Sequence, residues 1–179
     1  FEVIAKKGKI VWPSNNREAR SVVFIQSPGN GSDSDFDYAG SVTSMVALKQ
    51  AKYVREDYDE GKAYVLYQHM RTPGLTENFY KSIQQDEGIF MTKGEVISVS
   101  KNGDGLIVEA DDTLLGEKVH VKADMVVLAT GIVPNAADAP LPIELKQNEY
   151  GFLDGETDAV SPGLTGTKLG AWSRWTVPS

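Results

Sequence analysis

The chain contains no cysteine and only two histidines, His69 and His120. The first absence excludes disulfides, thiolate nucleophiles, cysteine-ligated zinc and cysteine-ligated iron–sulfur clusters within these residues. The second excludes a multi-histidine metal centre. His120 alternates with Val119 and Val121, which makes it an outward-facing strand residue. Basic runs are also missing. The net charge is −7, and no Lys/Arg stripe breaks it, which argues against nucleic acid and anionic membrane as direct partners. No apolar segment approaches the roughly 20 residues of a spanning helix. The start, Phe1 to Lys9, has no apolar core of a secretion signal. The cytoplasm is the expected compartment, with any membrane association routed through partner subunits. The chain also lacks an initiating Met, so it is expected to be part of something longer. No internal repeat is present.

What is there is ordinary for a globular α/β protein: 41% hydrophobic and 24% charged residues. The organising stretch is Ala123 to Pro134. Met125-Val126-Val127-Leu128-Ala129 is a continuous apolar run, too short for a typical helix and suited to a parallel strand buried on both faces. Thr130-Gly131 stops it with small residues that let backbone approach a ligand. Pro134 blocks any continuation of a ladder. Ligands of open α/β sheets sit outside the carboxyl ends of the strands, where Thr130 and Gly131 would lie. A plain core strand ending in a tight turn is the other reading.

Earlier in the chain, Ile10 to Pro13 offers a short apolar patch, and residues 1–21 read as a lead-in segment. Val22-Val23-Phe24-Ile25 is the first strand. A long Gly/Ser/Asp-rich loop, Ser27–Gly40, precedes a helix from Val42 to about Tyr58, capped by Ser41. Ala47, Ala51, Val54 and Tyr58 share one buried face, while Lys49, Lys52, Arg55 and Glu56 can meet water. Ala63 to Tyr67 is the second strand. Thr72-Pro73 signals a second helix, with Leu75, Phe79 and Ile83 on its apolar face, ending near Glu87-Gly88. A third strand at Ile89–Met91 is followed by an antiparallel meander of Val96–Ser100, Leu106–Ala110 and Val119–Lys122. Asp111, Asp112, Asp57, Asp59 and Glu60 read as solvated turn residues. After Asn135 the pattern gives way to an irregular tail, 135–179, rich in Pro and Gly and carrying Trp172 and Trp175.

A β-α-β-α-β unit, a meander and a strand ending Ala129-Thr130-Gly131 with Pro134 resembles the second dinucleotide-binding domain of two-domain flavoprotein reductases, over Val22 to Pro134. The implied fold is α/β: a Rossmann-like, three-layer dinucleotide-binding domain with an antiparallel meander, here over residues 22–134. A closer likeness is to the heterodisulfide reductase A-like flavoprotein family. It is carried by Gly8 to Val11 with Pro13-Ser14, Ser21 to Gln26, Tyr38 to Gln50, Tyr53 to Glu56, Arg71 to Gly74, Asn78 to Tyr80, Lys93-Gly94 and Asp124 to Asn135. Flavoprotein subunits of the quinone-interacting membrane-bound oxidoreductase of sulfur and sulfate metabolism belong to that family and are the nearest in pattern. The resemblance implies FAD-dependent electron transfer among partner subunits. Ala129, Thr130, Gly131 and Pro134 would form one flavin wall, and the tail would return toward a missing FAD domain. The cofactor is not expected to stay with this segment alone.

The chain departs from that pattern in three ways. Many family members carry cluster-binding cysteines where Ser27, Ala39, Thr43 and Ser44 stand here, a loss shared by the relatives nearest in pattern, so no iron–sulfur cluster is expected in this chain. A Gly-x-Gly-x-x-Gly turn does not follow the first strand, and no acid ends the second strand at Gln68, which counts against NAD(P). Arg71 reads as a solvated surface residue or as a phosphate contact. No FAD fingerprint precedes Val22. Two other functions stay open: a docking or assembly module with a degenerate dinucleotide fold, and an NAD(P)H-dependent disulfide-type reductase domain. No catalytic acid, base or nucleophile stands out.

Overall fold

The computed structural model describes residues 1–26, 40–132, 134, 147–148 and 150–152. The Ser27–Ala39 part of the long loop, and the tail beyond Phe152 with Trp172 and Trp175, lie outside the described residues. The chain divides into two compact units, Phe1–Gly131 and Ile132–Ser179.

In chain order the first unit contains α1 (Glu2–Lys6), β1 (Ser21–Gln26), α2 (Gly40–Asp57), β2 (Lys62–Tyr67), α3 (Thr76–Gln84), β3 (Ile89–Asn102), β4 (Gly105–Asp112), β5 (Glu117–Ala123) and β6 (Met125–Ala129). The six strands form one mixed sheet in the order β5-β4-β3-β2-β1-β6. Strand β1 runs parallel to β2 and to β6, and β2 runs parallel to β3. The β3-β4 and β4-β5 pairs are antiparallel.

Alternation along β1 splits the core in two. Val22 and Phe24 join Ala63, Val65 and Ile89 beneath Ala47, Leu48, Ala51 and Val54 of α2 and Ile83 of α3. Val23 and Ile25 face the other way, with Leu66, against Val108 and Ala110 of β4 and Ala123 of β5. Helices therefore cover one face of the parallel strands and the meander covers the other. These are the three layers expected of a Rossmann-like α/β domain. The lead-in residues complete the helix-side core. Phe1 sets its ring edge-on to Phe24, with centroids 5.3 Å apart. Ile10 is fully buried, and its carbonyl accepts the Tyr58 hydroxyl at 2.7 Å.

Several local expectations are corrected. The two strands read at Ile89–Met91 and Val96–Ser100 are one 14-residue strand, β3. It pairs with β2 through Lys93, then with β4 from Gly94, with a bulge at Val96/Ser98. A side chain at Gly94 would run into the Asp111 carbonyl, so the crossing from one partner to the next needs glycine. The second helix starts at Thr76 rather than at Thr72-Pro73. Gly74 has φ +62°, which breaks a helix, and Thr76 Oγ1 donates to the Pro73 carbonyl instead. Leu75 is consequently exposed rather than part of an apolar face. Ser41 lies inside α2, not at its cap.

Strand β6 matches its expected bounds but is not buried on both faces. Among the described residues it has only β1 as a sheet neighbour, and Leu128 is 54% exposed. Its run is apolar because Met125 and Val127 pack on the helix side and Val126 packs on the meander side. Asp112 is not solvated either, and Asp57, half-buried, ends α2 rather than standing in a turn. Asp112 is buried and accepts the Leu114 and Leu115 amides, while Asp57 accepts the Ile10 amide. Among the described residues, no helix is long and apolar enough to cross a membrane.

Polar contacts at the amino ends of the strands hold the register. Asp124 Oδ2 accepts the amides of Arg20 at 3.0 Å and Ser21 at 2.9 Å, and the Asp124 amide donates to the Ser21 carbonyl at 2.7 Å. This fastens β6 to β1 before their ladder begins. On the helix side, Arg55 is half-buried rather than solvated. It donates to Asp86 at 2.8 Å and to the Gly61 carbonyl at 2.6 Å, tying α2 to the starts of β2 and β3. Burial pushes the Asp86 carboxyl up, but the Gly88 amide and Arg55 together hold it below the usual aspartate range.

Asp124→Ala should lower unfolding free energy by about 1–3 kcal/mol in a urea titration, because two strand-start amides lose their acceptor. A separate test concerns acid. The folded-state pKa of Asp86 lies below its unfolded value, so its contribution is present above about pH 4 and is lost as pH falls through the folded value. Stability measured against pH should therefore fall less steeply in acid for Asp86→Asn than for the parent chain.

Candidate functional site

The chain leaves β1 toward β2 and β3 on one side and returns through the meander to β6 on the other. The strand order reverses between β1 and β6. In open α/β sheets a crevice forms at such a switch point, outside the carboxyl ends of the strands. Here those ends are Gln26 and Ala129, which are partners in the parallel register. Ala129 and Gly131 are half-buried and Thr130 is exposed. Gly131 takes φ +98°, a conformation that side chains rarely adopt, so its backbone turns without a Cβ in the way. Ala129, Thr130 and Gly131 thus form one contiguous wall. Pro134 belongs to the second unit, where it packs against the turn at Gly151. Asn148 shapes that turn, its Oδ1 accepting the Tyr150 and Phe152 amides.

Beside the wall lies a polar knot that no sequence motif announces. Gln26 closes an otherwise apolar strand and is only 4% exposed. Its Nε2 donates to Ser44 Oγ at 2.6 Å. Ser44 Oγ donates to the Gly40 carbonyl at 2.7 Å and accepts the Arg71 amide at 3.0 Å. One hydroxyl therefore uses its donor and both lone pairs to join the end of β1, the first turn of α2 and the segment after β2. Thr43 Oγ1 also donates to the Gly40 carbonyl, at 3.2 Å. The only hint in the sequence is a lone amide at the end of an apolar strand. Arg71 is exposed, and its aliphatic stem runs past Gly40, where a Cβ would lie 3.0 Å from Cδ.

The site offers backbone, small side chains and an amide. Among the described residues, no group of three or more His, Asp or Glu side chains could hold a metal ion. Thr43 and Ser44 present hydroxyls already engaged with backbone, and hydroxyls do not replace the thiolates that bind iron–sulfur clusters. Among the described residues, Ala129, Thr130 and Gly131 present backbone groups and small side chains at this strand end.

Ser44→Ala would strand the Gln26 amide nitrogen and the Arg71 amide, both at least partly buried. A loss of about 1–3 kcal/mol in urea unfolding is expected. A change within experimental error would show that the knot contributes nothing to joining the three elements.

No protein-family model matches the chain. Curated relatives do. The chain is 34% identical over 131 residues to the CoB–CoM heterodisulfide reductase iron-sulfur A-subunit, form 2, of Methanopyrus kandleri, covering 71% of this chain and 20% of that protein. It is 31% identical over 151 residues to the A-subunit of the H2:CoB-CoM heterodisulfide,ferredoxin reductase of Methanothermobacter thermautotrophicus, covering 82% of this chain and 23% of that one. A heterodisulfide reductase A-subunit-like protein of Archaeoglobus profundus is 32% identical over 120 residues, 66% of this chain and 17% of its own length. The chain spans about a fifth of the length of these relatives. Among solved structures, the thioredoxin reductase of T. acidophilum aligns with a TM-score of 0.45 at 15% identity, covering 85% of this chain and 41% of that one. That of Giardia duodenalis aligns at 0.48 and 16%, covering 73% and 37%.

Proposed function

The chain is a homologue of one segment of the heterodisulfide reductase A-subunits, and on that premise we propose that it is the second dinucleotide-type domain of a longer FAD-dependent oxidoreductase polypeptide. The observation that carries this reading is the switch point between β1 and β6, which opens beside Ala129-Thr130-Gly131. Small side chains, an exposed Thr130 and a positive-φ Gly131 fit one wall of a flavin site. Pro134 lies in the second unit, and a role for it in flavin binding rests on the resemblance alone. The flavin, when bound, supplies the electron transfer. The chain's own residues orient it: Gly131 gives the backbone room to approach, and Thr130 offers a hydroxyl and an amide.

The polypeptide is assigned to a redox complex because its relatives are named as subunits. The sulfur and sulfate branch of the family, through the quinone-interacting oxidoreductase, is the finer assignment. It is supported by the serine, threonine and alanine positions where cluster cysteines stand in other family members. The residues of this chain do not fit an iron–sulfur cluster, and any cluster in the complex is held elsewhere. A second reading, a docking module, is favoured by one observation: among the described residues β6 is an edge strand, and it exposes Leu128.

The test uses the longer polypeptide that contains this segment. Purified whole, it should show the visible absorption of bound flavin. Gly131→Val should lower flavin content about tenfold or more, equivalent to about 1.4 kcal/mol, with circular dichroism unchanged. Undiminished flavin in a folded Gly131→Val variant would overturn the placement at this wall.

A further inference from the structure

We draw no further inference here: the strongest candidate, the buried Gln26 carboxamide oxygen at the end of β1 near Ser44 of α2, has no partner among the described residues, and Gln26 is followed in the chain by residues 27–39, which lie outside them, so nothing in the structure shows what covers it.

Discussion

Strand β1 has no solvent-facing side, and the other layers are arranged to make that possible. Val22, Val23 and Phe24 are fully buried and Ile25 nearly so, two side chains on each face. Burial of that kind contributes about 1.5–3 kcal/mol per side chain, an upper estimate. Four such residues approach the whole net stability of a typical domain, on the order of 5–15 kcal/mol. A strand apolar on both faces needs a cover on each. Helix α2, reinforced by Ile10 and Phe1 of the lead-in segment, supplies one. The meander supplies the other, and it reaches that face because β3 changes partner at Gly94.

The same constraint locates the candidate site. With β2 on one flank of β1 and β6 on the other, the chain must reverse its progression across the sheet at β1. Asp124 fastens β6 to β1 at their amino ends, and the parallel ladder then brings Ala129 level with Gln26. The turn at Thr130-Gly131 follows from where β6 stops. Ser44 closes the neighbouring gap between β1, α2 and the segment after β2, so the wall stands beside a fixed polar junction.

Elements with a single periodicity are readable from sequence. The β1 run, the buried face of α2 at Ala47, Ala51 and Val54, continued by Tyr58 just past its end, and the bounds of β6 all occur as expected. Elements that change surroundings partway are not. Thr92 to Glu95 looks like a break between strands because β3 passes there from a parallel partner to an antiparallel one. Thr72-Pro73 imitates a helix start, but the positive φ of Gly74 delays the helix. The exposure of Leu128 depends on which strand lies beside β6, and an apolar run carries no record of its neighbours. At the site, Thr130 and Gly131 are visible in the sequence as a strand end. The pairing of Gln26 with Ser44 is not, since their contact depends on how α2 docks against β1.

On the proposed function the domain is a wall for flavin rather than a binder of nicotinamide. The β1–α2 connection has no dinucleotide glycine pattern, and β2 ends without an acid. The most direct test is calorimetric titration of this chain with FAD, NADH and NADPH in turn. No saturable binding of either nicotinamide is predicted. Saturable NADH or NADPH binding without any FAD binding would contradict the flavin-wall reading and return the site to the loop after β1.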